Sequence, residues 1–216
     1  MRQGGSRLFY RFIRFVLSIY YQSKFSLEVH GSENVPSRKD KRGVIFAPNH
    51  ASYLDPPILG ISQKRHVTYL AKEYLFRHSF VGFVLRMIGA YPIKSDSGND
   101  FKSIRDLVRL LKSGHCVVVF PEGTRSETGE MKAPESGIGF LAMKSGAWVV
   151  PVYIEGSYAA MPKGAKSIRR SKIKVWYGEA FIPADNRAFV AMGDYMAVSD
   201  TIMKEIRTLK AKAEQI

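Results

Sequence analysis

Short apolar runs alternate along this chain with longer segments in which apolar residues recur at helical spacing. The clearest strand patterns are residues 43–47, 116–120 and 148–154, and the clearest helix pattern is 99–113, which stops before Gly114. A glycine just past a helical pattern is a common stop signal. This alternation predicts an α/β domain with a mixed, largely parallel sheet flanked by helices.

Weaker patterns complete the expected order of elements. Further strands are expected at 66–70, 90–94 and 172–178, and further helices at 76–88, at 136–146 and from about 187 onward. In sheets of this kind, ligands bind beyond the carboxyl ends of the strands. Polar residues that directly follow a buried strand are therefore the first candidates for a functional site.

The chain carries a large positive charge. Its 33 Lys and Arg residues against 19 Asp and Glu residues leave a formal net charge of +14 over 216 residues. A surplus of this size predicts a polyanionic partner, which could be nucleic acid, an anionic membrane surface, or an acidic protein or substrate. Cys116 is the single cysteine, so no disulfide can form within the chain.

The N-terminal segment, residues 6–25, has the pattern of an amphipathic helix. One polar stripe is formed by Arg7, Arg11, Arg14, Ser18 and Gln22, and apolar or aromatic residues cover the rest. The apolar stretch is far shorter than the ~20 residues that span a bilayer. A wide apolar face with an arginine stripe is typical of a helix lying in a membrane interface. The alternative is a helix packed on the protein's own core with its arginines in water.

The first polar motif, NHASYLDP at residues 49–56, directly follows a strand pattern. Pro56 suits the first turn of a helix, and Asp55 suits its N-cap. The turn formed by residues 50–55 can fold His50 back onto Asp55. A bond to Asp55 would fix the imidazole tautomer and leave the other ring nitrogen as a base. The alternative is a plain helix cap beside an ordinary loop histidine.

The second polar motif, FPEGTRS at residues 120–126, follows another strand pattern. Gly123 allows close backbone approach, while Thr124 and Arg125 are natural phosphate ligands. Taken alone, the motif could be an ordinary surface turn. If the two preceding strands are parallel neighbours, both motifs open on the same edge of the sheet.

Together the two motifs resemble the glycerophospholipid acyltransferase family, most closely its 1-acyl-glycerol-3-phosphate (lysophosphatidate) acyltransferases. Two weaker blocks also fit: IGAYPIK at 88–94 and VVPVYIEGS at 149–157. The four blocks run in family order over about half the chain. The second block commonly ends in arginine, whereas this chain has Lys94, which keeps the positive charge without the bidentate geometry.

The resemblance implies an acyltransferase domain at 26–216 behind the membrane-interface helix at 1–25. It implies transfer of a fatty acyl group from acyl-CoA or acyl-carrier protein to the free sn-2 hydroxyl of 1-acyl-glycerol-3-phosphate, giving phosphatidic acid. His50 would be the general base, oriented by Asp55. The residues expected to line the acceptor's phosphoglycerol end are Lys94, Glu122, Gly123, Thr124 and Arg125. No metal is expected, and no cofactor besides the thioester co-substrate.

The expected partners follow from the charge and the resemblance. Residues 161–174 hold six basic side chains that could touch anionic lipid, the phosphates of CoA or an acidic carrier protein, or form a solvated loop. The expected location is the cytoplasmic face of a membrane, peripheral or monotopic. Nucleic acid is not expected, because no recognised binding motif appears. Two alternatives stay open: glycerol-3-phosphate or another lysophospholipid as acceptor, and a non-catalytic membrane- or nucleic-acid-binding module.

Overall fold

The computed structural model describes residues 7–88, 90–93 and 101–215. Within its helices and strands, some side chains are not described: those of Arg7, Leu8, Lys72, Phe80, Met87, Ile93, Phe101, Lys102 and Met192.

The strands and helices alternate along the described residues. The strands are β1 (Glu28–His30), β2 (Val44–Pro48), β3 (Val67–Thr68), β4 (Leu70–Lys72), β5 (Tyr91–Ile93), β6 (Cys116–Val118), β7 (Trp148–Glu155) and β8 (Lys174–Tyr177). The α-helices are α1 (Arg7–Phe25), α2 (Asp55–Ser62), α3 (Ser79–Met87), α4 (Phe101–Lys112), α5 (Ser136–Ser145), α6 (Ser157–Ala160), α7 (Arg187–Met192) and α8 (Tyr195–Ala213). Short 3-10 helices cover Ser32–Asn34, Glu73–Arg77 and Pro183–Asp185.

Six strands form one sheet in the order β1-β8-β7-β2-β6-β3. Its neighbours are parallel except for β7 and β8, which are antiparallel. β4 and β5 form a separate parallel pair. The predicted α/β class with a mixed, largely parallel sheet is confirmed. Strand β1 was not anticipated, and the pattern at 66–70 divides into β3 and β4, which belong to different sheets.

The core lies on both faces of the six-stranded sheet, because successive residues of a strand point to opposite faces. In β2, Val44 and Phe46 join a cluster with α1 and α2, whereas Ile45 and Ala47 join a cluster with α4, α5 and α8. A strand that is buried on both faces reads as a continuous apolar run. This explains why β2 and β6 were recognisable from the sequence.

Helix α1 packs against the domain through a mixed rather than a purely apolar face. Tyr10, Tyr21 and Phe25 are buried, and Arg14 is half-buried with its guanidinium donating to the Ile61 carbonyl at 3.4 Å. Arg14 of the expected polar stripe therefore lies partly against the domain, because this position follows Tyr10 by one helical turn and points the same way. Among the described residues, no helix is long and apolar enough to cross a membrane.

The outward face of α1 is apolar. Phe12, Phe15 and Ile19 are 60%, 63% and 56% exposed, and Val16 lies beside them. These residues are three or four positions apart, so they share one side of the helix. The helix is amphipathic in an unusual sense, since a large part of its apolar surface faces away from the protein.

Candidate active site

The two polar motifs lie side by side at the carboxyl edge of the sheet. β2 and β6 are parallel neighbours with Phe46 opposite Val118, so the segments that follow them leave the sheet at the same edge. The amide of Ser126 donates to the carbonyl of His50 at 2.7 Å and joins the two segments directly. Asn49 fastens the first segment to β7 through both a donated and an accepted hydrogen bond with Ile154.

His50 and Asp55 form a hydrogen-bonded pair. Nδ1 of His50 lies 2.9 Å from Oδ2 of Asp55; the aspartate side chain is fully buried, and the histidine side chain is 16% exposed. Since a carboxylate only accepts, this bond places a proton on Nδ1 and leaves Nε2 as the basic nitrogen. Phe120 stacks on the imidazole, with ring centroids 3.7 Å apart. The pair has the arrangement of a general base and its orienting carboxylate.

Asp55 does not cap helix α2. The helix begins at Asp55 itself, Leu54 precedes it in a right-handed helical conformation, and no side-chain cap bond is made. Oδ2 of Asp55 instead accepts from the amides of Ala51 at 2.8 Å and Ser52 at 2.7 Å. The N-cap expectation was wrong because donors in the preceding turn hold the carboxylate. The same oxygen thus orients both the turn and the imidazole.

Glu122 is buried, with 3% of its surface exposed. Oε1 accepts from the backbone amide of His50 at 2.8 Å, and Oε2 accepts from the backbone amide of Lys132 at 2.8 Å. Burial raises the pKa of Glu122, although the hydrogen bonds from these two backbone amides lower it. Both carboxylate oxygens are therefore engaged by the protein's own backbone.

Arg125 and Lys132 bring two cationic side chains to the loop of the second motif. The guanidinium of Arg125 lies over the ring of Tyr53, 3.4 Å from its centroid, and its buried Nη1 has no hydrogen-bond partner among the described residues. Nζ of Lys132 donates to the Thr124 hydroxyl at 3.1 Å and to the Arg125 carbonyl at 2.9 Å. Cationic donors carried at one loop suit a phosphate.

The remaining candidate residues of the second motif, Gly123 and Thr124, lie in the exposed turn of its loop. Gly123 has φ +67°, and a Cβ built there would lie 2.2 Å from Oε1 of Glu135, so the turn requires glycine. Lys94 lies outside the described residues. Lys132 was missed in the sequence because it sits in an irregular segment six residues beyond the second motif, where no pattern marks it.

An apolar cavity of about 330 Å³ lies beside the polar site, lined in part by residues of α1, α2, α3 and β4. Leu17, Ile61 and Leu85 are among its lining residues, and Tyr53 is another. Because Tyr53 also carries the Arg125 guanidinium on its ring, the cavity adjoins the cationic part of the site. Within the described chain, no three His, Cys, Asp or Glu side chains are grouped so that they could hold a metal ion.

A family model described as acyltransferase matches residues 26–155. The chain therefore belongs to the acyltransferase family, a family of O-acyltransferase enzymes, and the resemblance read from its motifs is confirmed.

Two curated relatives are both named as 1-acyl-sn-glycerol-3-phosphate acyltransferases. A 1-acyl-sn-glycerol-3-phosphate acyltransferase from Bacillus subtilis strain 168 is 26% identical over 208 residues, covering 96% of this chain and 100% of the relative. The chloroplastic 1-acyl-sn-glycerol-3-phosphate acyltransferase LPAT1 from Arabidopsis thaliana is 31% identical over 164 residues, covering 75% of this chain and 45% of the relative. The chain thus spans the whole bacterial relative but about half of the plant one.

The fold is also found in a solved structure. The 1-acyl-sn-glycerophosphate (LPA) acyltransferase PlsC from Thermotoga maritima superposes with a TM-score of 0.78 at 24% identity, covering 94% of this chain and 79% of that one. The similarity shows that the overall fold is shared.

Proposed function

We propose that the protein transfers a fatty acyl group from an acyl thioester to the free sn-2 hydroxyl of 1-acyl-glycerol-3-phosphate, giving phosphatidic acid. The observation that carries this proposal is the 2.9 Å bond between His50 and Asp55, joined through Ser126 and Glu122 to the loop that holds Arg125. A base for a hydroxyl and cations for a phosphate are what this acceptor requires. The names of the relatives support the same reaction.

The proposed reaction needs no covalent enzyme intermediate, because a thioester is already activated. Nε2 of His50 takes the proton of the acceptor hydroxyl as its oxygen attacks the thioester carbonyl carbon. The tetrahedral intermediate collapses, the carbon–sulfur bond breaks, and the thiolate leaves. The imidazolium then returns the proton to the departing thiolate, so the enzyme ends in its starting state. Asp55 stabilises the imidazolium and keeps its orientation.

The acceptor's phosphate is assigned to the Arg125 loop. The buried Nη1 of Arg125 has no protein partner among the described residues, and a guanidinium can bind a phosphate through two parallel hydrogen bonds. Thr124 and Lys94 are proposed as further phosphate ligands, and Gly123 permits close approach of the backbone. The apolar cavity beside Tyr53 is proposed to hold a fatty acyl chain.

The outward apolar face of α1 is proposed to lie in the membrane interface. Aromatic and aliphatic side chains that are more than half exposed are removed from water when such a helix enters the headgroup region. Both the acceptor and the product reside there. The protein is accordingly proposed to be a peripheral or monotopic enzyme of the cytoplasmic membrane face, attracted by anionic lipid.

The donor is proposed to be acyl-CoA or acyl-carrier protein, and the basic segment 161–174 is proposed to meet its negative charge. This segment adjoins the site, because the Ser52 hydroxyl donates to the Met161 carbonyl at 2.8 Å. Lys163 pairs with Glu127. Lys166, Arg169 and Arg170 are exposed, and no ion pair joins them to a described carboxylate within 4.0 Å.

The test is a substrate screen with the purified full chain. Acyl-CoA and acyl-carrier protein are each combined with lysophosphatidate, glycerol-3-phosphate and a lysophospholipid whose phosphate carries a headgroup. We expect the highest kcat/KM with lysophosphatidate. A preference for glycerol-3-phosphate would move the assignment to the alternative acceptor, and no transfer with any pair would contradict an acyltransferase function.

A further inference from the structure

We propose that Glu122 and Lys132 form a bridge between the proton-transfer segment and the phosphate-binding loop, in which Glu122 positions His50 and Lys132 adds a second cation for the acceptor's phosphate. The proposal rests on the proposed function and changes the role of Glu122 from a substrate contact to a positioning residue. It assigns Lys132 a role that its sequence position does not suggest.

The carboxylate of Glu122 is buried and hydrogen-bonded to backbone. A buried charge is costly unless hydrogen bonds compensate it, and here each oxygen accepts one backbone amide at 2.8 Å. One of those amides belongs to His50. Glu122 is therefore fastened directly to the backbone of the general base, and it acts on the reaction through the place at which it holds that base.

The ammonium group of Lys132 lies at the phosphate-binding loop. It donates to the Thr124 hydroxyl and the Arg125 carbonyl, which leaves one of its three protons for another acceptor. No ion pair within 4.0 Å joins Lys132 or Arg125 to a described carboxylate. The carboxylate of Glu135 lies against Gly123, on the neighbouring turn. An anionic ligand would satisfy both cations.

The bridge links the base to the cations through hydrogen bonds. The backbone of Lys132 is held by Glu122, and its side chain is held by the phosphate-binding loop. The Ser126 amide adds a direct bond to the His50 carbonyl. In lysophosphatidate, the reacting hydroxyl and the phosphate are on neighbouring carbons of glycerol. A fixed distance between base and cations selects such a molecule, since misplacement of the reacting groups by about 1 Å can cost ~10²-fold in rate.

The experiment compares two acceptors, 1-acyl-glycerol-3-phosphate and the phosphate-free 1-acylglycerol. Lys132→Met should raise KM for the phosphorylated acceptor by about tenfold or more and leave KM for 1-acylglycerol within about twofold. Lys132→Arg should restore part of the loss. Glu122→Gln should lower kcat by about tenfold or more for both acceptors alike, because an amide offers one acceptor oxygen to two backbone amides.

Matched controls come from the exposed faces of α4 and α8. Lys112→Met and Glu205→Gln remove the same charges from exposed positions and should leave both acceptors unaffected. If Glu122→Gln does not fold, as judged by circular dichroism and melting, Glu122→Asp takes its place, because the shorter carboxylate cannot reach both amides at once. The same fall in kcat is expected.

A binding measurement separates this proposal from the proposed function. Inorganic phosphate titrated into the wild type and Lys132→Met should bind about tenfold more weakly to the variant, whether or not the wild type transfers an acyl group. Equal binding would overturn the role of Lys132. A rise in KM for the phosphorylated acceptor alone in Glu122→Gln, with kcat unchanged, would show that Glu122 touches the acceptor and does not position His50. An inactive wild type with weakened phosphate binding in the variant would contradict only the proposed function.

Discussion

At the scale of single residues, one carboxylate oxygen carries much of the proposed chemistry. Oδ2 of Asp55 accepts from His50 and from the amides of Ala51 and Ser52, so the turn and the imidazole are oriented by the same atom. A local pattern could predict the pairing of His50 and Asp55, since they are five residues apart. The hydrogen bonds from the Ala51 and Ser52 amides, which Asp55 accepts in place of a helix-capping bond, depend on the exact path of the turn. No residue pattern specifies that path.

Replacing His50 by alanine should remove the general base. We expect kcat to fall by ~10²–10⁴-fold while circular dichroism and the melting temperature stay near those of the wild type, because the side chain lies at the edge of the sheet. His78→Ala changes an exposed histidine and serves as the matched control with normal turnover. A folded His50→Ala enzyme with near wild-type turnover would show that another group removes the proton.

Replacing Arg125 by alanine should weaken the hold on the acceptor's phosphate. A hydrogen bond to a charged group is worth about 1.5–3 kcal/mol, so KM for lysophosphatidate should rise about tenfold to a hundredfold, while KM for the donor changes little. Steady-state kinetics with each substrate varied in turn would measure this. Arg187→Ala, at an exposed position in α7, is the control. A rise confined to the donor would place Arg125 at the thioester instead.

Glu122 should also give stability a particular pH dependence. Burial raises its pKa above the ordinary value of 4.5, so the folded chain binds more protons than the unfolded chain between 4.5 and the raised value. The contribution of Glu122 to the free energy of unfolding is then fully present below about 4.5 and is lost as pH rises through the raised pKa. Urea denaturation across this pH range should show that the free energy of unfolding of the wild type falls with pH relative to that of Glu122→Gln. A relative rise would mean that the amide hydrogen bonds outweigh burial.

At the scale of elements, the sequence was most informative where burial imposes a regular pattern. β2 and β6 are buried on both faces and were visible as apolar runs, whereas the three-residue β1 lies at the edge of the sheet and carries no such run. Helix α1 was recognised as a helix, but the contact of Arg14 with Ile61 was not foreseen, because it depends on how α1 packs against α2. Lys132 escaped notice because it lies in an irregular segment that no residue pattern marks.

The outward face of α1 should control membrane binding. We expect the triple change Phe12→Ser, Phe15→Ser and Ile19→Ser to weaken binding to anionic vesicles by at least about tenfold. Burying one such side chain is worth roughly 1.5–3 kcal/mol, and about 1.4 kcal/mol is a factor of ten. Activity on vesicle-embedded lysophosphatidate should fall, and activity on a short-chain, water-soluble acceptor should persist. Vesicle sedimentation and the two assays would measure these effects.

The control for this face is Val190→Ser with Met196→Ser, which removes exposed apolar side chains from α7 and α8. Substitution is preferable to deleting α1, because Tyr21 and Phe25 belong to the core and their loss would destabilise the domain. Unchanged vesicle binding in the triple variant would place the membrane contact elsewhere, with the basic segment 161–174 the next surface to examine.

At the scale of the whole molecule, the proposed base, phosphate cations and acyl cavity converge on one edge of the sheet. Tyr53 belongs both to the cavity and to the Arg125 contact, and the basic segment meets the same region at Ser52. The net charge of +14 favours anionic lipid, phosphorylated acceptor and negatively charged donor together. The charge and the motifs can be read directly from the sequence. The cavity cannot, because its lining residues come from three helices and a strand that meet only in the folded chain.

The most direct test of the central claim is to follow phosphatidic acid by mass spectrometry after purified wild type and His50→Ala are incubated with an acyl thioester and 1-acyl-glycerol-3-phosphate. We expect the wild type to form phosphatidic acid with the new acyl group at sn-2, and folded His50→Ala to form it at least ~10²-fold more slowly. Equal rates for the two proteins, or no phosphatidic acid from either donor with the wild type, would contradict the proposed transfer.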